Sequence, residues 1–375
     1  MFLVAGARPN FVKIAPLVEA FERAAPRDRL EVRLVNTGQH YDPLMAGSFF
    51  EELGIREPDV DLGVGSGTHA EQTARILVAF ERLLVEERPR LVVVVGDVNS
   101  TLACALAAAK LGIDIAHVEA GLRSRDRSMP EEINRIVTDA LSSLCFTTCV
   151  EASENLAHEG IATDRIFFVG NVMIDTLLRS RDRARPPASL ATVGLRPREY
   201  ALITLHRAGN VDRPVEAGRV VAAAERAAAR LPLVFPMHPR TRQMLERHGL
   251  LARLLAVASA HLVEPLPYLE FLYVMDRARV VLTDSGGIQE ETSVLGVPCL
   301  TLRQNTERPI TIEQGTNRLV GLEPDNVAAA LDEVLAAPMP RARPLPLWDG
   351  RAAERIADIT VRHYGVHTAE TGMSR

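Results

Sequence analysis

Three acids stand where acids can do chemistry. Asp97 follows the apolar run LVVVV, Glu119 closes the run IAHV, and Glu131 follows Pro130 at the start of a helical pattern. Neighbouring parallel strands lie about 5 Å apart, so Asp97 and Glu119 should open onto one crevice mouth. The loop between Glu119 and Glu131 carries Arg123, Arg125 and Arg127, and can bring Glu131 back over that mouth. Carboxylates gathered in this way suit general acid–base work. Two of them have plainer uses: Asp97 can cap the helix beginning near Asn99, and Glu131 can favour its own helix dipole. Glu119 has no such alternative.

A second group of residues suits an anion. In TDSGGIQEE (283–291), Asp284 ends a strand, Gly286 and Gly287 permit a tight turn, and Ile288 enters a helix. Free amides at a helix start bind anions, and glycine lets a diphosphate approach the backbone. Ser285 adds a hydroxyl donor, and Glu291 can accept from ribose hydroxyls; a simple strand-to-helix turn is the alternative. In GARPNFVK (6–13), Arg8 and Lys13 can reach a phosphate. His206 in LHRAGN lies just past a strand end, and His238 stands in a similar place. GVGSGTHA (63–70) matches a dinucleotide fingerprint with Ala last, but no convincing strand precedes it, so a nicotinamide site is rejected.

These residues need a scaffold of alternating elements. FLVAG, LEVRLV, LVVVV, IAHV and IFFVG read as buried strands, and segments such as Ile76, Leu77, Phe80, Leu83 and Leu84 show helical spacing between them. That alternation predicts a parallel sheet covered by helices. The pattern restarts with ALITL, LVFPM, HLVE, VVLT and PCLTL. LVVVVGDVNSTLACALAAAKLGIDIAHV and VVLTDSGGIQEETSVLGVPCLTL share one layout of strand, Asp, small-residue turn, helix, Leu-Gly and strand. The expectation is an α/β protein with two doubly wound, Rossmann-like domains facing a central cleft. Residues 1–171 form the first, residues 172–349 the second, 350–366 a final helix and 367–375 a flexible tail. The segment 179–197, rich in Arg, Pro and small residues, reads as surface near the junction.

Composition limits the partners. With 43 Lys and Arg against 48 Asp and Glu, the net charge of −5 lacks the basic footprint of a nucleic-acid binder. A charge at Arg8 comes too soon for a secretory signal, and no apolar run approaches a membrane span. Cys104, Cys145, Cys149 and Cys299 lack zinc-type spacing and read as buried reduced thiols, so a cytoplasmic protein is expected.

Taken together and in order, GARPNFVKIAPL, GQHYD, GDVNSTLA, HVEAGLRS, PEEINR, LHRAGN, TDSGGIQEE and NTERP resemble the non-hydrolysing UDP-N-acetylglucosamine 2-epimerases. The resemblance runs from residue 2 to about residue 322. It implies the GT-B architecture, a final helix returning to the first domain, a homodimer, a UDP-sugar substrate and no redox cofactor or metal. On it, Arg8, Lys13, Asp97, Glu119, Glu131 and His206 fall on active-site positions. Ser285, Gly286 and Glu291 fall on diphosphate and ribose positions, and Phe271 falls beside uracil. Arg123 is the best placed of the loop arginines to meet an anionic substrate. The implied chemistry removes the proton on sugar carbon 2 as UDP leaves carbon 1, giving a glycal, and returns a proton on the other face. Asp97 and Glu119 would move protons with Glu131 assisting, while His206, Arg8 and Lys13 would hold the departing diphosphate.

The sequence also departs from the family pattern. Tyr41-Asp42 follows Gln39-His40 where effector-regulated members read otherwise, Gly209 replaces a frequent acid, and Ile310 replaces a usual Glu. GQHYD also resembles relatives acting on UDP-2,3-diacetamido-glucuronate. A hydrolysing epimerase would use nearly the same residues, a glycosyltransferase needs fewer acids, and a non-catalytic sensor needs no proton-transfer pair.

Overall fold

The structure is a computed structural model that describes residues 1–6, 8–28, 31–39, 52–205 and 207–364. The chain divides into two compact units, Met1–Thr176 with Leu347–Arg375, and Leu177–Pro346. In the first unit, β1 (Phe2–Ala5), β2 (Arg33–Asn36), β3 (Val60–Asp61), β4 (Leu91–Val95), β5 (Asp114–Ala120), β6 (Leu144–Thr147) and β7 (Ile166–Phe168) form one sheet. Its order is β3-β2-β1-β4-β5-β6-β7, and every pairing is parallel. In the second, β8 (Ala201–Thr204), β9 (Leu233–Pro236), β10 (Ala260–Val263), β11 (Val280–Thr283), β12 (Cys299–Thr301) and β13 (Asn317–Leu319) follow the order β10-β9-β8-β11-β12-β13. Strand order therefore reverses beside β1 and again beside β8. Ligands of open α/β sheets bind beyond the carboxyl ends of the strands at such reversals.

Burial explains the strand composition. Every residue of β4 is buried, because helices cover both faces of a parallel sheet and leave no wet side to alternate with. Ile76, Phe80 and Leu84, spaced on one face of the helix His69–Glu87, pack with β4 side chains Val92 and Val94. The two look-alike segments take equivalent places: β4, the helix Asn99–Lys110 and β5 in one unit, and β11, the helix Gly286–Leu295 and β12 in the other.

Strands β3, β6 and β13 are additions to the sequence reading. β3 spans only Val60–Asp61, β6 (LCFT) follows a helix with hardly a turn between, and β13 reads NRL. β3 and β13 offer no apolar run and β6 only three apolar residues; each is extended because a neighbouring strand supplies hydrogen bonds. GVGSGTHA leads into the helix His69–Glu87, where Thr68 and Glu71 form a reciprocal capping box.

The final helix, Ala352–Tyr364, packs against the helix Arg8–Asp28 inside the first unit. The Asp175 carboxylate accepts from the amides of Ala352 at 3.1 Å and Ala353 at 2.8 Å, capping it from outside. Trp348 Nε1 donates to the Thr148 carbonyl at 2.8 Å just upstream. The division between units falls inside the helix Val172–Arg181, so the segment 179–197 belongs to the second unit, with Leu190 buried in it. All four cysteines are free and buried. Among the described residues, no helix is long and apolar enough to cross a membrane. The tail 367–375 lies outside the described residues.

Candidate active site

Glu119 is the penultimate residue of its strand, which runs one residue further than the sequence suggested. β5 continues to Ala120, and its register with β6 shifts between Val118 and Ala120. Glu119 has a φ of 75°, a left-handed conformation that costs a non-glycine residue on the order of 1–3 kcal/mol. Such an irregularity re-aims a side chain, and its persistence means the surroundings enforce it. The Gly96 amide donates to the Val118 carbonyl at 3.0 Å, and the Gly121 amide donates to Asp139 Oδ2 at 3.1 Å. Both flanks of the left-handed residue are thereby pinned.

Lys13, on the helix Arg8–Asp28, forms a buried ion pair with Glu119. Asn10, one turn earlier, donates through Nδ2 to the Val95 carbonyl at 2.9 Å. Gly96, just past β4, lies against both. A Cβ there would sit 3.2 Å from Lys13 Nζ and 3.4 Å from Glu119 Oε2, and the φ of 70° excludes most side chains. Gly96→Ala is therefore expected to cost at least about 1 kcal/mol of stability and to lower activity with it. Urea unfolding and turnover on one preparation check this; an unchanged midpoint contradicts it.

Asp97 does not cap the helix beginning at Asn99, whose N-cap is Val98. Its carboxylate pairs with Arg135 Nη1 at 2.6 Å and keeps 26% exposure, so it is oriented yet accessible. Arg135 is buried and turns its other end to Glu132 Oε2, also at 2.6 Å. Glu132 in turn accepts from the Ser124 amide and hydroxyl and from the Arg125 amide, each at 2.9 Å. Burial raises the Glu132 carboxyl, but Arg135 and the Ser124 amide outweigh it and hold the group below the usual carboxylate range. Glu131 is half-buried in the first turn of the same helix, Pro130–Leu141.

The loop arginines need correction. Arg123 does not project toward a substrate: its side chain is 2% exposed and pairs with Asp139 at 2.8 Å and Glu159 at 2.6 Å. Two carboxylates inside the unit already satisfy its guanidinium, and Glu132 fixes the loop, which is a braced connection and not a flap. Arg125 donates to Asn155 Oδ1 at 2.8 Å, and Arg127 is exposed. Sequence reasoning missed Arg135, Glu132, His117 and Asp139. All four lie in or beside the quoted motifs, and a charged residue at helical spacing behind Glu131 was the available signal for Arg135 and Asp139.

In the second unit, three loops meet at the carboxyl ends of β8, β11 and β12. Asp284 is fully buried and accepts from the Arg207 amide at 3.0 Å and Asn210 Nδ2 at 2.8 Å, tying the LHRAGN loop to the glycine turn. Ser285 is the N-cap of the helix Gly286–Leu295, yet its side chain makes no capping bond, and no acid occupies the first turn. Gly286 has an internal reason to be glycine, because Arg308 and Glu307 occupy the space a Cβ would take. Arg308 pairs with Glu290 at 3.0 Å and also with Glu307, which meets Arg303 at 2.8 Å. The same loop thus brings a buried network of arginines and glutamates to the helix start, against Gly286. Phe271 is half-buried on the helix Tyr268–Arg277. His238 caps the helix Pro239–Arg247 through Nδ1, at 3.2 Å from the Arg240 amide.

Glu291 is buried and accepts from the Tyr268 hydroxyl at 3.1 Å. Burial pushes its carboxyl up to about 8, so it is protonated at neutral pH. A folded-state value above the unfolded one favours the fold at low pH, and that advantage is lost as pH rises toward 8. Between pH 5 and 8 the stability of the wild type relative to Glu291→Gln should fall by on the order of 1 kcal/mol per pH unit. Parallel stability curves for the two proteins would exclude a neutral Glu291.

His206, His40, Tyr41 and Asp42 lie outside the described residues, and Arg8 is placed only as the first residue of its helix. The remaining site residues form two sets, one per unit. Lys13, Asp97 and Glu119 gather by the carboxyl ends of β4 and β5, with Glu131 in the first turn of the helix Pro130–Leu141; Ser285, Gly286 and Gly287 follow β11, and Glu291 lies further along the same helix.

The family model for UDP-N-acetylglucosamine 2-epimerase matches residues 22–361. A UDP-N-acetylglucosamine 2-epimerase of Methanocaldococcus jannaschii is 41% identical over 362 residues, covering 95% of this chain and 97% of the relative. A UDP-2,3-diacetamido-2,3-dideoxy-D-glucuronate 2-epimerase of Pseudomonas aeruginosa is 40% identical, covering 96% and 98%. The crystal structure of the M. jannaschii UDP-GlcNAc 2-epimerase in complex with UDP-GlcNAc and UDP superposes with a TM-score of 0.86 at 40% identity, covering 96% of this chain and 99% of that one.

Proposed function

Because this chain belongs to the UDP-N-acetylglucosamine 2-epimerase family, we propose that it interconverts UDP-N-acetylglucosamine and UDP-N-acetylmannosamine by inverting carbon 2. The observation that carries the reading is Glu119, a buried acid held in a strained backbone at the carboxyl end of β5 and paired with Lys13. Strain of this kind gathers at functional sites.

The hydrogen on carbon 2 has no neighbouring carbonyl to acidify it. Its removal becomes feasible when the bond from carbon 1 to the UDP oxygen breaks in the same event, so that the electron pair of the C–H bond forms the glycal double bond. The departing diphosphate takes the charge, and fixed cations stabilise it as it develops. A carboxylate on one face accepts the proton, and a carboxylic acid on the other face returns one to carbon 2 while UDP adds back to carbon 1. In this reading Glu119 and Asp97 move the protons, with Glu131 assisting. Lys13, Arg8 and His206 attend the diphosphate. Ser285, Gly286 and Gly287 hold the nucleotide, Glu291 the ribose and Phe271 the uracil. Homodimerisation belongs to the same reading, and sedimentation at twice the chain mass would support it.

Proton NMR of UDP-N-acetylglucosamine in heavy water tests the reaction. Deuterium at carbon 2 and accumulation of UDP-N-acetylmannosamine are expected. Free N-acetylmannosamine with UDP would mark a hydrolase, and binding without exchange would reject an enzyme of this class. The close similarity to the P. aeruginosa relative gives one further substrate a claim, so the same spectrum with UDP-2,3-diacetamido-glucuronate should be recorded. Faster exchange there would reassign the substrate and leave the chemistry unchanged.

A further inference from the structure

His117 lies two residues before Glu119 on β5, fully buried, and has no part in the chemistry above. Its Nε2 is 2.8 Å from the Gly96 carbonyl oxygen, and its Nδ1 is 2.6 Å from Asp139 Oδ1. A carbonyl oxygen only accepts, so Nε2 must carry a proton. Burial raises the Asp139 carboxyl, but His117 and Arg123 outweigh it and hold Asp139 below the usual range. Nδ1 meets the Asp139 carboxyl, so the ring spans the two groups end to end. Rotating the ring by half a turn would set carbon atoms against both oxygens at these short distances. The geometry thus fixes the orientation of the ring, with Nε2 toward Gly96 and Nδ1 toward Asp139.

The same bonds reach the backbone on each side of Glu119. His117 holds the Gly96 carbonyl, the Gly96 amide holds the Val118 carbonyl, and Asp139 holds the Gly121 amide. Asp139 sits on the helix Pro130–Leu141, four residues after Arg135, which orients Asp97. One helix face therefore indexes both acids, one through an arginine and the other through an imidazole ring.

We propose that His117 is a positioning residue: bridging Asp139 and Gly96 through its two ring nitrogens, it locks the irregularity of β5 that presents Glu119 in its left-handed conformation. This rests on the reading of Glu119 as a proton-transfer group. Losing the lock should misplace Glu119 by a fraction of an ångström to an ångström, an error that costs about 10²-fold in rate.

Two measurements test it. Neutron diffraction from crystals of the perdeuterated wild-type enzyme at pH 7.5 should show deuterium on Nε2 of His117, directed at the Gly96 carbonyl; an Nε2 without deuterium overturns the proposal. His117→Gln retains an amide donor but not the rigid ring that spans both partners. It should lower kcat by about 10²-fold with KM for UDP-N-acetylglucosamine and affinity for UDP each changed less than about threefold. Wild-type kcat overturns the proposal, as does a loss confined to KM. If the variant does not fold, the neutron map decides alone. The underlying reading fails separately, when Glu119→Gln keeps carbon 2 exchange.

Discussion

Replacing Glu119 with Gln is expected to lower kcat about 10³-fold and to abolish exchange of the carbon 2 proton with heavy water. Proton transfer by a positioned side chain contributes about 10²- to 10⁴-fold, and an amide of the same shape cannot accept the proton. The substitution also leaves Lys13 without its anionic partner in a buried place. Some loss of stability should accompany the loss of rate, and measuring exchange per folded molecule separates the two. UDP affinity should not fall, since the nucleotide is assigned to the turn after β11 and Lys13 keeps its charge for the diphosphate. Full exchange at carbon 2 in Glu119→Gln would remove Glu119 from the mechanism.

Replacing Arg135 with Met should produce the largest change in stability, about 3–5 kcal/mol, because Glu132 would stay buried without its cation. The size follows from exposures of 1% for the Arg135 side chain and 2% for that of Glu132. The pH dependence has a definite sign. In the wild type Glu132 has a depressed value, so its contribution is present at neutral pH and lost as pH falls through the folded-state value. Without Arg135, burial raises that value and the carboxyl becomes a liability as pH rises. The gap between the two proteins should therefore be small near pH 4 and wide at pH 7. Urea unfolding across that range checks it, and a difference below about 1 kcal/mol at pH 7 would show that the loop does not depend on this pair. Asp97 loses its fixed orientation in the same variant, so turnover should fall further than the unfolded fraction explains.

How much of this was legible in the sequence depends on which force sets each feature. Long apolar runs such as LVVVV announce themselves because burial on both faces fixes their composition. Strands such as Asn317–Leu319 do not, since their pairing comes from a neighbour far away in the chain. The acids Asp97 and Glu119 could be placed on adjacent strands from spacing alone, and β4 and β5 do pair. The left-handed backbone of Glu119 could not, because it is enforced by Gly96 and by Asp139 from two other elements. Arg123 misled for a related reason: an arginine in a loop reads as wet, whereas Asp139 and Glu159 draw this one inside. Side-chain charge was visible, but its partner was a tertiary fact.

The helix Ala352–Tyr364 gives the order of synthesis a cost. The helix Arg8–Asp28 emerges early from the ribosome, but its packing partner and the amides that satisfy Asp175 are made only after the whole second unit. At about 5–20 residues per second, the stretch between the two helices takes roughly 16–65 s. During that time the nascent first unit waits for the helix that covers Arg8–Asp28 and for the amides that meet Asp175, so it is complete only once the chain has passed through the second unit.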